Sequence, residues 1–155
     1  MISTVVVGKP FLARRLHPST LEHLGLTAAI ESLCSGSFKQ GGLQIKFSHR
    51  RVPHDVPADI ALCLYRVVQE ALHNVAKHSG SAEAHVRLAG TDSSVGLTVV
   101  DKGSGFDPET AERKGGLGLV SMRERVRLVS GALTIKSEPG RGTEIFVKVP
   151  LPEGQ

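Results

Sequence analysis

LYRVVQEALHNVAKHSG, residues 64–80, is the stretch on which the rest of the chain is read. Together with the residues just before it, Ile60, Leu64, Val67, Ala71 and Val75 recur at helical spacing, so one face of the predicted helix is apolar and buried. The same spacing aligns Glu70, Asn74, Lys77 and His78 on another ridge. A carboxylate, an amide, an ammonium and an imidazole on one ridge suit a pocket wall, although alone they are equally a solvated polar face. Three downstream stretches shift the weight: an Asp-x-Gly-x-Gly loop at 101–105, a Gly-Leu-Gly-Leu loop at 116–119 and a Gly-Arg-Gly-Thr turn at 140–143.

Outward from that helix, 155 residues make about one domain, long enough for a real core. The 17 glycines cluster in the second half, where loops carry a task. Cys34 and Cys63 sit in apolar helical contexts and read as small reduced core residues. The seven histidines form no metal-ligand spacing with another His, Cys or carboxylate, so a zinc site is not expected. A net charge of +4 would permit nucleic acid, but the basic residues are scattered and Trp is absent. With no stacking platform, no nucleic-acid partner is expected, and a polyanionic small ligand fits the charge equally well. No apolar run approaches the roughly 20 residues of a membrane span. Residues 1–15 have too short an apolar stretch for a signal peptide; they read as an N-terminal extension or a cloning-derived segment.

Residues 16–33, LHPSTLEHLGLTAAIESL, read as a helix with Pro18 in its first turn. Ser19 or Thr20 can satisfy its free N–H groups, and Leu21, Leu24, Leu26, Ala28, Ile30 and Leu33 form a broad apolar face. Ser35-Gly36-Ser37 ends it. Residues 43–47 alternate as a strand, and 84–88 and 95–100 are two more. Residues 108–115 are charged and patternless, as in a mobile loop. A helix over 117–130 comes next, with Leu119, Met122, Val126 and Val129 toward the core. Strands over 132–137 and 143–149 flank the Pro139-Gly140-Arg141-Gly142 turn. This order predicts a mixed, largely antiparallel sheet covered on one face by helices, an α/β two-layer sandwich.

Asp101 stands where a strand leaves the sheet and can accept from a ligand amino group, although Asp and Gly are also routine turn formers. Gly103 and Gly105 let backbone approach a ligand closely. Residues 115–119 open a helix, whose free N–H groups make an anion site; a hinge for the preceding loop is equally compatible. The stretch is neither a P-loop nor a Rossmann fingerprint. Residues 140–143 are by themselves a hairpin turn, from which the Thr143 hydroxyl could reach a ligand. His17 beside Pro18 reads as a helix-terminal residue.

In this order and spacing the stretches resemble the ATP-binding domain of the GHKL superfamily, shared by gyrase, MutL and histidine kinases. QEALHNVAKH (69–78) is similar to its N box, DKGSGF (101–106) to its first glycine box, GGLGLVSMRERV (115–126) to its second, and GRGTEIFVKVPLP (140–152) to its last. The short interval between the glycine boxes and the LHP stretch upstream resemble the histidine kinases paired with LuxR/NarL-type response regulators. The resemblance implies a Bergerat-type fold over 38–152, with 16–37 a remnant of the second dimerisation helix. It also implies an Mg-ATP site. Asn74 would hold Mg²⁺, Glu70 would be the general base, and Lys77 and His78 would face the phosphates. Asp101 would accept from the adenine amino group between Gly103 and Gly105, and Thr143 would support that pocket. Gly116, Leu117, Gly118 and Leu119 would hold phosphates, with 106–115 as the lid. Catalysis would be positioning plus charge neutralisation.

No phosphoacceptor histidine precedes the LHP stretch, so the implied chain is a kinase's ATP-binding catalytic piece, acting on a phosphoacceptor helix elsewhere. The full-length protein would be the homodimer, with half the dimerisation hairpin missing here. The expected location is cytoplasmic, with or without a membrane anchor in the full-length protein. Two further readings stay open: a GHKL ATPase or anti-sigma-type serine kinase, and a non-catalytic nucleotide-sensing interaction module.

Overall fold

The computed structural model describes residues 19–36 and 42–153. His17, Pro18, Ser37 and residues 1–15, on which several expectations fell, lie outside the described residues.

Alternation with a period of two makes five strands, and three consecutive ones place their apolar sides together. They are β1 (Gln44–Arg50), β2 (Glu83–Gly90), β3 (Ser94–Asp101), β4 (Ala132–Ser137) and β5 (Thr143–Pro150). The sheet order is β1-β2-β3-β5-β4, with β1 parallel to β2 and every other pair antiparallel. The expected mixed, mostly antiparallel sheet is therefore present. One face carries Val86, Leu88, Leu97, Val99, Ile145 and Val147, all buried beneath the helices. The other carries exposed Lys46, Arg87, Phe146 and Lys148.

The opening stretch lies in α3 (Ala58–Asn74), whose predicted stripe Ile60, Leu64, Val67 and Ala71 is buried, as is Val75 just beyond it. Asp59 accepts from the Ile60 N–H at 2.8 Å in the first turn, where an acidic side chain complements the helix dipole. α5 (Leu119–Leu128) lays Leu119, Met122 and Val126 on the same core. Val129 packs partly buried just beyond its end. Cys34 and Cys63 are free and buried in this core; burial pushes their thiols up to about 12 and about 11.

Three local expectations give way. The single helix over 16–33 is two within the described part, α1 (Ser19–Leu24) and α2 (Leu26–Gly36), because Gly25 takes a left-handed φ of 89°. The break turns Leu24 out to 67% exposure, while Leu26, Ile30 and Leu33 join the core. The patternless 108–115 stretch contains a helical turn and a half, α4 (Pro108–Arg113). Asp107 caps it, accepting from the Glu109 N–H at 3.2 Å and the Thr110 hydroxyl at 2.9 Å. Finally, the α-helical pitch of α3 ends at Asn74, and residues Val75–Ser79 form a π turn closed by left-handed Gly80. The wider π pitch breaks the spacing that put Glu70, Asn74, Lys77 and His78 on one ridge.

Candidate functional site

Asp101 is the last residue of β3, and the sheet register fixes its neighbours. Ala84, Asp101, Thr143 and Ser137 are successive cross-strand partners in one row. The row lies at the end of the sheet, on the side of the buried apolar residues. Asp101 is only 7% exposed and is the one buried acidic side chain among the described residues. Its Oδ1 accepts the Gly103 N–H at 2.7 Å, and among the described residues Oδ2 has no hydrogen-bond partner. Burial raises this carboxyl above the usual aspartate range, and the Gly103 bond pulls it partly back. A buried carboxylate oxygen without a donor is costly, and such a group marks a place where a donor belongs.

Asp101 opens into a cleft with about 60 Å³ of internal volume. Asn74 at the end of α3 and His78 and Ser79 in the π turn after it form one wall, and Leu117 and Phe106 form another. Val99 and Ile145 floor it. The first glycine loop is clamped between two elements. The Ser104 N–H donates to Ser79 O at 2.7 Å, its hydroxyl to His78 O at 3.2 Å, and the Gly140 N–H to Ser104 O. The expectation was that Gly103 and Gly105 would clear room for a ligand. Their missing Cβ atoms also clear room for protein: a Cβ at Gly103 would collide with Ser79 O, and one at Gly105, which lines the cleft, with Glu138 O.

Beyond this loop the cleft wall changes character. Asn74 Nδ2 donates to Leu117 O at 2.7 Å, which orients the amide and leaves Oδ1 as its acceptor. Leu117 holds a left-handed φ of 65°, a strained conformation for a branched side chain. Gly118, also at 65°, is the N-cap of α5 and supplies no side chain to its first N–H groups. A Cβ there would collide with Glu70 Oε1, so the glycine makes room for Glu70.

Of the sequence-derived set, the cleft gathers Asn74, His78, Asp101, Gly105, Leu117 and Thr143. Gly103 sits behind it against Ser79. Lys77 is exposed and outside its lining, Gly116 is exposed with its N–H donated to Ala111 O, and the Leu119 side chain is in the core. Glu70 lines a neighbouring groove with Arg66, Gln69 and Arg125. The sequence reading missed Ser79, Ser104 and Ser137, and had Phe106 only as the first residue of the lid. Ser104 and Phe106 stood inside a recognised motif, whereas nothing local distinguishes Ser137 from any other strand-end serine. Among the described residues no group of three or more His, Cys, Asp or Glu side chains gathers to hold a metal.

Comparison with known proteins identifies the family. Residues 60–153 match the family described as histidine kinase-, DNA gyrase B- and HSP90-like ATPase, and the chain belongs to that family. It is the ATP-binding catalytic domain of the sensor histidine kinase type. It is 32% identical over 136 residues to the signal transduction histidine-protein kinase/phosphatase DegS of Brevibacillus brevis, covering 88% of this chain and 35% of that protein. It is 36% identical over 141 residues to the sensor histidine kinase MctS of Rhizobium johnstonii, covering 90% and 30%. The chain thus spans about a third of the length of these curated relatives. Among solved structures, the histidine kinase domain of the Erythrobacter litoralis EL346 blue-light activated kinase superposes with a TM-score of 0.68 at 24% identity. That likeness covers 90% of this chain and 74% of the other. Full-length ShkA in complex with AMPPNP gives 0.64 at 21% identity, covering 82% and 29%. No helix among the described residues is long and apolar enough to cross a membrane.

Proposed function

We propose that this chain binds Mg-ATP in the Asp101 cleft and serves phosphoryl transfer to a histidine on a phosphoacceptor helix of the full-length protein. The observation that carries the reading is the buried Asp101 carboxylate, with one oxygen held by Gly103 and the other open to the cleft. An exocyclic amino group supplies the donor that Oδ2 lacks, and a purine ring fills the apolar space over Val99 and Ile145. Thr143, the cross-strand partner of Asp101, stands beside that amino group.

At the other end, Asn74 Oδ1 is the residue atom fitted to Mg²⁺. The ion would take its remaining ligands from phosphate oxygens and water. Held there, it would supply neutralisation of phosphate charge. The first N–H groups of α5 and the backbone of 116–119 hold the phosphates, with the Gly116 N–H released from Ala111 O as 106–115 closes as a lid; His78 faces them from the cleft wall, and Lys77 adds positive potential from outside its lining. Glu70, in the groove next to the cleft, meets the incoming imidazole of the acceptor and accepts its proton as the Nε2–phosphorus bond forms and ADP leaves. Residues 16–37 belong to the second dimerisation helix and 38–152 form the catalytic domain. A LuxR/NarL-type response regulator receives the phosphoryl group downstream, and the full-length protein is a homodimer working in the cytoplasm.

Calorimetric titration of ATP into the purified chain, with and without Mg²⁺, tests the site. Asp101→Asn replaces an acceptor oxygen by an amide and should weaken binding by at least about 30-fold, the worth of a charge-assisted hydrogen bond plus a misplaced donor. Asn74→Ala should keep metal-free binding and lose the Mg²⁺ enhancement. A folded wild-type chain that binds no ATP would overturn the reading.

A further inference from the structure

Ser137 ends β4, one strand beyond Thr143 and two beyond Asp101 in the same row. Its hydroxyl meets three groups: the Phe106 N–H at 2.9 Å, Gly142 O at 3.0 Å and Thr143 Oγ1 at 2.8 Å. A hydroxyl has one proton to give and two lone pairs to receive with. The Gly142 carbonyl can only accept, so the Ser137 proton goes there. The Phe106 N–H can only donate, so it takes one lone pair. The contact with Thr143 is then settled by elimination: Thr143 gives its proton to Ser137, whose capacity is now full. What Thr143 has left is lone pairs.

We infer that Ser137 is a positioning residue that fixes the Thr143 hydroxyl as an acceptor beside Asp101, so that the cleft selects a 6-amino over a 6-oxo purine. This rests on the nucleotide reading of the cleft and deepens it. A threonine hydroxyl is ordinarily an adaptable partner, able to turn its proton toward a ligand oxygen or its lone pairs toward a ligand N–H. Here the proton is committed, and Thr143 joins Asp101 Oδ2 in presenting acceptors alone. An exocyclic amine has two protons for two acceptors. A 6-oxo group would face two acceptors with nothing to donate, and unpaired buried polar groups are what make such discrimination large. The same serine holds the Phe106 N–H, so the first residue of the lid segment is pinned to the wall that reads the base.

The test is calorimetric titration of ATP and of inosine triphosphate into wild-type chain and variants, read as the ratio of the two dissociation constants. Wild type should prefer ATP. Ser137→Ala frees the Thr143 proton to turn toward a 6-oxo oxygen, and the ratio should fall about fivefold, chiefly by tighter binding of inosine triphosphate. Ser137→Thr keeps the hydroxyl and should restore the ratio. A purely structural serine would lower the melting temperature and both affinities together and leave the ratio unchanged. That result in folded Ser137→Ala would overturn the inference alone, whereas wild type binding neither nucleotide would overturn the nucleotide reading along with it. If Ser137→Ala does not fold, Thr143→Val decides: removing the acceptor should lower the ratio, and an unchanged ratio overturns the inference.

Discussion

The two ends of the cleft are built from the same residue type and behave as opposites. At the Asp101 end, Gly103, Gly105 and Gly142 are glycines because backbone from elsewhere occupies the space a Cβ would need. A Cβ at Gly142 would collide with Asp101 O, and Ser104, Gly140 and Ser137 stitch the same region with bonds to the main chain. At the other end, a Cβ at Gly118 would meet only the flexible Glu70 side chain rather than main chain, and Gly115 and Gly116, both exposed, would have nothing within 4 Å of a Cβ. One end is a packed frame whose glycines are steric necessities, and the other is a segment free of such contacts between a short capped helix and a strained Leu117. A frame with fixed acceptors suits recognition of a rigid group. An unencumbered segment suits opening and closing over a flexible one.

The largest effect that would break this contrast is on stability. Gly105→Ala and Gly142→Ala each combine a positive φ with a main-chain collision and should cost roughly 2–4 kcal/mol by urea unfolding. Gly116→Ala should stay within about 0.5 kcal/mol, since neither collision nor positive φ opposes it. Equal losses at the two ends would abolish the distinction. A smaller, local effect is expected at Asp107, which makes both side-chain contacts capping α4. Asp107→Ala should cost about 0.5–1 kcal/mol locally and speed proteolytic cleavage within 106–115, with little change in the global melt.

The smallest effect sharpens the other end and runs in the opposite direction. Burial raises the Asp101 carboxyl, so the native state holds its proton more tightly than the unfolded chain does. Stability from this group is therefore lost as pH rises from the ordinary carboxylate range through the raised native value, and the penalty persists at neutral pH. Asp101→Asn, which keeps an acceptor for the Gly103 N–H, should melt a few degrees higher than wild type at pH 7. The gap should close as pH falls below the ordinary aspartate range. A variant that melts lower at pH 7 would mean the carboxylate stabilises the frame rather than being held in it at a cost.

The legibility of the fold tracks the range of the interactions involved. The stripe of α3 was readable because burial on one side of a helix imposes its period on neighbouring residues, and the strands for the same reason at a period of two. Boundaries strayed where a single residue overrode the period, as Gly25 did by splitting one expected helix into α1 and α2. α4 was missed because a helix lying outside the core carries no apolar stripe; none of its residues is buried. Asp107 followed by Pro108 was the available signal, a cap before a first-turn proline.

For the site, the order of residues was enough to establish which chemistry is present: a carboxylate at a strand end, an asparagine on the polar side of a helix, and glycines where chain must pass close to chain. It also carried the family, because the motifs and their spacing are properties of one dimension. Which of these groups meet was settled in three dimensions alone. The π turn after Asn74 undid the ridge that placed Lys77 with His78. The insertion of β5 between β3 and β4 set Ser137, Thr143 and Asp101 in one row, although β3 and β4 lie far apart along the chain. Local periodicity says which side of an element faces inward. Register between strands distant in sequence is fixed by pairing and packing over the whole sheet, and the direction of one hydroxyl proton is fixed only by the three groups that surround it.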